Sequence, residues 1–149
     1  MKLLLILLLL ATPALAKFNS KDTSHYGDKT AAFTQAYSDK LKSPNCEKMT
    51  ILYGQDTPSM HPFIDGENWL LVENVPLKEC KRGDVILYLS DATRGEMIKK
   101  YVAHQIVRGN HRAGFLVKGT NELTNPEEDN LRVTAKNYAG KVVHVYLWK

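Results

Sequence analysis

The residues with the clearest capacity for chemistry are one serine and one histidine. Ser59 stands in Thr57-Pro58-Ser59-Met60-His61-Pro62-Phe63-Ile64, between two prolines and a few residues after Gly54. Proline locks its own φ and restrains the residue before it. Pro58 therefore limits Thr57 and Pro62 limits His61, so the serine between them has little freedom. A nucleophile needs that preorganisation, because about 1 Å of misplacement costs roughly a hundredfold in rate. It also needs a base, since a hydroxyl is a poor nucleophile until a partner takes its proton. His104, in Tyr101-Val102-Ala103-His104-Gln105-Ile106-Val107, is the candidate. Imidazole titrates near pH ~6.5, close to working conditions. His61 is a second candidate base, because an extended segment places it on the same face as Ser59. Taken singly, a serine beside proline is usually a loop. A histidine sharing a face with Val102 and Ile106 is usually a packed core residue. The chemistry rests on the two meeting.

The elements that must position them are mostly strands. Apolar segments of strand length run over Met49 to Tyr53, Trp69 to Glu73, Val85 to Leu89, Tyr101 to Arg108, Gly114 to Lys118 and Gly140 to Trp148. In the last, Val142, His144, Tyr146 and Trp148 alternate with Val143, Val145 and Leu147. Arg108-Gly109-Asn110-His111-Arg112 reads as a hairpin loop. Arg82-Gly83-Asp84 is a turn signal before Val85 and carries no chemistry. One helix precedes the strands. Phe33, Tyr37 and Leu41 recur every four residues with Ala36 on their side, Asp28 or Thr30 can cap the start, and Ser43-Pro44-Asn45 stops it. Residues 18 to 28 are polar and without period, an extended arm. This pattern predicts a mainly β fold, a partly closed barrel or coiled antiparallel sheet, with one short N-terminal helix.

The chain has 149 residues. Met1-Lys2, the apolar run Leu3 to Leu10, and Ala14-Leu15-Ala16 have the layout of a secretory signal peptide cleaved after Ala16. The run is short of the roughly 20 apolar residues of a membrane span. The expected domains are thus a signal peptide, 1–16, and a single domain, 17–149, in an exported protein. The formal net charge is +4. Its lysines and arginines are scattered and form no stripe with interleaved aromatics, which argues against a nucleic-acid partner. The excess suits solubility and attraction to an anionic membrane surface. Cys46 and Cys80 are the two cysteines. Lacking C-x-x-C spacing they are a poor metal site, and in an oxidising compartment they are expected to form a disulfide.

The order of several short segments resembles the type I signal peptidases, closest to the endoplasmic-reticulum and archaeal variety with a Ser/His pair. The segments are Ser59-Met60-His61-Pro62, Arg82-Gly83-Asp84-Val85, Val102-Ala103-His104-Gln105-Ile106-Val107, Lys118-Gly119-Thr120-Asn121 and Gly140-Lys141-Val142-Val143. The resemblance spans about Gly54 to Val143. It implies a β catalytic core like that of self-cleaving SOS repressors, no cofactor and no metal. It also implies an extended peptide or preprotein as substrate, with Ser59 as nucleophile and His104 as base. By the same analogy the strands around Trp69 to Val72 and Val85 to Leu89 line the substrate groove. Two features depart from the family. Thr120 stands where the family has Asp in Gly-Asp-Asn, and the N-terminal apolar segment looks removable where the family keeps a membrane anchor. The further acidic residue of the family matches Asp129, after the connection Glu122 to Glu128. Backbone N–H groups near Ser59, with the Thr57 hydroxyl, are the expected oxyanion donors. The competing functions are a catalytically inactive relative that binds peptides by strand addition and a transpeptidase that joins ends. Composition says nothing of oligomeric state.

Overall fold

The six strand-length apolar segments pair into one sheet in the computed structural model, which describes residues 23–55, 57–64, 66–90 and 100–148. Among the described residues seven strands form. They are β1 (Thr23–Tyr26), β2 (Met49–Gly54), β3 (Asn68–Glu73), β4 (Val85–Leu89), β5 (Tyr101–Asn110), β6 (Gly114–Lys118) and β7 (Tyr138–Trp148). Their order is β2-β3-β7-β4-β5-β6, with β1 also joined to β7. Every pairing is antiparallel except β1 with β7. The long closing strand takes β3 on one side and β4 on the other, so the chain spreads outward from β7. Its outer strands β2 and β6 do not meet, and the sheet is not closed into a barrel. That corrects the barrel alternative expected from the sequence. The extended arm is also more than an arm, since Thr23 to Tyr26 pair with Val145 to Trp148. The expected signal peptide, 1–16, lies outside the described residues.

The helix, α1 (Lys29–Lys42), starts where the Asp28 carboxylate accepts from Ala31 N at 2.8 Å. This is an ordinary N-cap. Ser43 is already extended, and Pro44 follows. The face the helix buries is not its aromatic stripe. Ala32 and Ala36 are fully buried against Leu71, Tyr146 and Trp148. Phe33, Tyr37 and Leu41 are 41%, 50% and 59% exposed. Small side chains let the helix backbone settle close to the sheet, and the larger ones splay to its flank. There Phe33 meets Trp69 with ring centroids 5.1 Å apart.

Strand β7 also departs from simple alternation. Leu71 pairs with His144 but Val72 pairs with Val142, so Val143 is an extra residue, a β-bulge. Val142 therefore joins Val145 and Leu147 in the core with Met60, Leu70 and Leu87. Val143 turns toward Tyr146 and Trp148, under the helix. A second core, around Ile86, Tyr88, Ile106, Phe115 and Val117, fills the other face of β4 and β5.

The two cysteines are free thiols, which corrects the expected disulfide. Cys46 is half-buried at the turn after α1. Cys80 is buried in the second core, with its sulfur 3.4 Å from the Tyr138 hydroxyl. Burial pushes the Cys80 thiol above its ordinary range, and the Tyr138 bond only partly offsets this. The thiolate is the reactive form. Iodoacetamide at neutral pH is therefore expected to modify Cys46 at least about tenfold faster than Cys80, with both reacting after unfolding without reductant. Peptide mass mapping checks this, and a Cys46–Cys80 linked peptide would contradict the structure.

Candidate active site

Ser59 is the middle residue of a short 3-10 turn, Pro58–Met60. Pro58 opens the turn, where its missing N–H costs nothing. His61 closes it, donating its N–H to Pro58 O at 3.2 Å. Met60 is 3% exposed and anchors the turn in the core beside Val85 and Leu87. The serine itself is left half-exposed.

The segment after β6 holds this turn from the other side. The carbonyls of Pro58, Ser59 and Met60 each accept a hydrogen bond from it. Asn121 Nδ2 donates to Pro58 O at 2.8 Å and Asn121 N to Ser59 O at 3.0 Å. Thr120 Oγ1 donates to Met60 O at 2.8 Å. The residue that departs from the family's Gly-Asp-Asn pattern is thus a donor to the backbone of the serine turn. Gly119 makes the approach possible, because a Cβ there would lie 2.4 Å from Ser59 O. Gly119 follows Lys118, which pairs with Gln105, the residue after His104. The serine turn and the histidine strand approach each other at this glycine. Gly119→Ala is expected to cost about 1–3 kcal/mol of stability by overpacking. It is also expected to slow acylation of Ser59 at least about tenfold. Urea denaturation and acylation kinetics measure the two, and unchanged acylation would show that this ledge does not position the serine.

His104, 5% exposed, is carried by β5 opposite Ile86. Its Nδ1 lies 2.7 Å from Asp129 Oδ2. The carboxylate comes from the irregular segment after Asn121 and is held where Asp129 N donates to Val117 O at 2.9 Å. Burial alone would raise the Asp129 carboxyl, but the bonds from His104 and Tyr88 outweigh it and hold the group below its usual range. An ionised carboxylate only accepts hydrogen bonds. Nδ1 must therefore carry the proton, and Nε2 is the basic nitrogen. That is the tautomer a general base for a hydroxyl requires.

Tyr88, which the sequence does not single out, joins this pair. Its hydroxyl donates to the same Asp129 Oδ2 and lies 3.4 Å from His104 Nδ1. Burial, then the bond to Asp129, pushes its phenol well above the ordinary range. A signal existed. Tyr88 is a tyrosine in an otherwise aliphatic strand, two steps from Ile86 on the same face, and a buried phenol needs a partner.

Ser59 Oγ lies 3.5 Å from Thr57 Oγ1 and makes no direct hydrogen bond to His104. Catalytic bonds are often long before substrate arrives. A groove of ≈ 530 Å³ opens at the serine, lined by Ser59, Thr57, Leu70, Leu87 and Ala103. Ala103 precedes His104, and Leu70 and Leu87 belong to the two strands expected to line such a groove. His61, the alternative base, is exposed. His144 is occupied elsewhere, its Nε2 2.9 Å from Ser24 Oγ. The Arg82-Gly83-Asp84 turn is structural, with Lys141 Nζ 3.0 Å from the Asp84 carboxylate. No three His, Cys, Asp or Glu side chains gather among the described residues where a metal could sit. No helix among them is long and apolar enough to cross a membrane. No family model, no curated protein and no solved structure matches the chain.

Proposed function

We propose that this chain is a serine endopeptidase of the type I signal peptidase kind, acting on an extended segment of an exported protein. The observation that carries the reading is the His104–Asp129 pair at 2.7 Å. His104 is buried and Asp129 partly so, and the strand that carries His104 also lines, through Val102 and Ala103, the groove that contains Ser59. In this mechanism His104 Nε2 takes the Ser59 proton as Oγ attacks the scissile carbonyl. Asp129 stabilises the imidazolium. The first N–H groups of a helical turn have no partner within it. At the serine turn they stand ready for the oxyanion, each donor worth about 3–4 kcal/mol. His104 then protonates the leaving amine, and water releases the acyl group. Export and contact with a membrane surface are part of the same proposal.

The test is covalent labelling. A fluorophosphonate probe is expected to modify Ser59 stoichiometrically, with peptide mapping to locate it. The missing Ser59–His104 hydrogen bond favours the second reading, an inactive relative that holds peptides in the groove. That reading predicts peptide binding with no labelling at all.

A further inference from the structure

The geometry points to Tyr88 as a positioning residue that holds the Asp129 carboxylate for His104. This rests on the peptidase reading of the site. Two donors converge on one oxygen. His104 Nδ1 reaches Asp129 Oδ2 at 2.7 Å, and the Tyr88 hydroxyl donates to the same Oδ2. Both ring systems belong to neighbouring strands, Tyr88 on β4 and His104 on β5, with centroids 6.3 Å apart. Tyr88 is 2% exposed and packed in the second core, so its hydroxyl has little freedom to leave.

The backbone of Asp129 is tied to Val117 O, but that bond does not fix its side chain. The residue belongs to an irregular segment and borders an open cleft of ≈ 550 Å³, whose lining includes Ser90, Asn125, Glu127 and Glu128. A carboxylate beside that cleft can rotate into water, away from the imidazole. The Tyr88 hydroxyl fixes the rotation from the rigid side. It also shares the charge on Oδ2. Without it one of the two bonds that hold the Asp129 carboxyl below its usual range is gone, so the orienting charge is lost to protonation at a higher pH. Among the described residues that line this cleft, the charged ones besides Asp129 are Glu127 and Glu128. Glu128 is turned to Arg108, whose guanidinium donates to it at 2.8 Å.

Tyr88→Phe removes the hydroxyl and keeps the ring, so the core is preserved. Fluorophosphonate labelling of Ser59 is measured across pH for the parent protein, Tyr88→Phe, Asp129→Asn and the double variant. Tyr88→Phe is expected to slow labelling about tenfold, the loss of one hydrogen bond to a charged group. It is also expected to move the acid limb of the profile to higher pH. In the Asp129→Asn background it is expected to change the rate by less than about twofold, because coupled residues are not additive. Equal slowing in both backgrounds, or none in the parent, overturns the proposal and makes Tyr88 a packing residue. If the parent is unlabelled at every pH, the peptidase reading falls and takes this inference with it. Denaturation of the same four proteins separates the two failures. Coupling between Tyr88 and Asp129 in unfolding is a property of the bond alone and needs no activity.

Discussion

Ser59→Ala is expected to abolish covalent labelling and peptide cleavage while leaving the fold intact. Loss of a nucleophile in a serine hydrolase typically removes about 10⁶ in kcat. The fold should not notice, because the Ser59 side chain has no structural work to perform. Its hydroxyl sits at the margin of hydrogen-bonding distance from Thr57 Oγ1, at 3.5 Å. What holds the turn is backbone. Three successive carbonyls are bonded by Thr120 and Asn121, and Met60 is buried beneath them. The variant should therefore match the parent in circular dichroism and unfold within about 0.5 kcal/mol of it. Turnover of an extended peptide, followed by mass spectrometry, is the measurement. Product masses also separate hydrolysis from transpeptidation, since only a hydrolysed product gains a water. Full cleavage by Ser59→Ala would remove this serine from the mechanism.

Asp129→Asn should cost about 10⁴ in rate, because an amide presented to Nδ1 favours the wrong imidazole tautomer. The same substitution has a pH signature in stability. Asp129 is held below its usual range in the folded chain, against the pull of burial, by the His104 and Tyr88 bonds. A depressed carboxylate contributes stability that is fully present above its unfolded value of about 3.9. That contribution is lost as pH falls through the folded value. Denaturation midpoints of parent and variant should therefore differ at pH 7 and converge in strong acid. A constant gap across that range would mean that the carboxylate is not held ionised by these partners.

The inactive-relative reading draws on Thr120, where the family's carboxylate is missing. The position has another use here. Its hydroxyl reaches Met60 O, and a threonine serves that bond as well as any donor of its length. In the proposed mechanism the orienting carboxylate is Asp129, which lies 2.7 Å from His104 Nδ1 and comes from a part of the chain the resemblance matched only loosely.

Much of the architecture was legible because it is written locally. The cap at Asp28, the stop at Ser43-Pro44 and the four-residue period gave the helix its bounds, since capping and helical contacts act within one or two turns. The six apolar runs became six strands, because side chains on a strand alternate wherever one face is buried. The proline-bracketed serine reads as a constrained turn for the same reason. The outward aromatic stripe of α1 was not legible, because period alone does not say which side a helix turns to its sheet. Nor was the bulge at Val143, which exists only against the pairing of β3.

The sequence by itself determined the element types, the rigid turn around Ser59 and the strand that bears His104. Tertiary structure alone decided that Asp129 reaches His104, that Tyr88 shares its oxygen, that Gly119 admits the serine turn, and that the cysteines stay apart. The first group depends on neighbours a few bonds away, where residue type limits the backbone directly. The second depends on register between strands distant in the chain, where a shift of one residue turns every side chain to the opposite face.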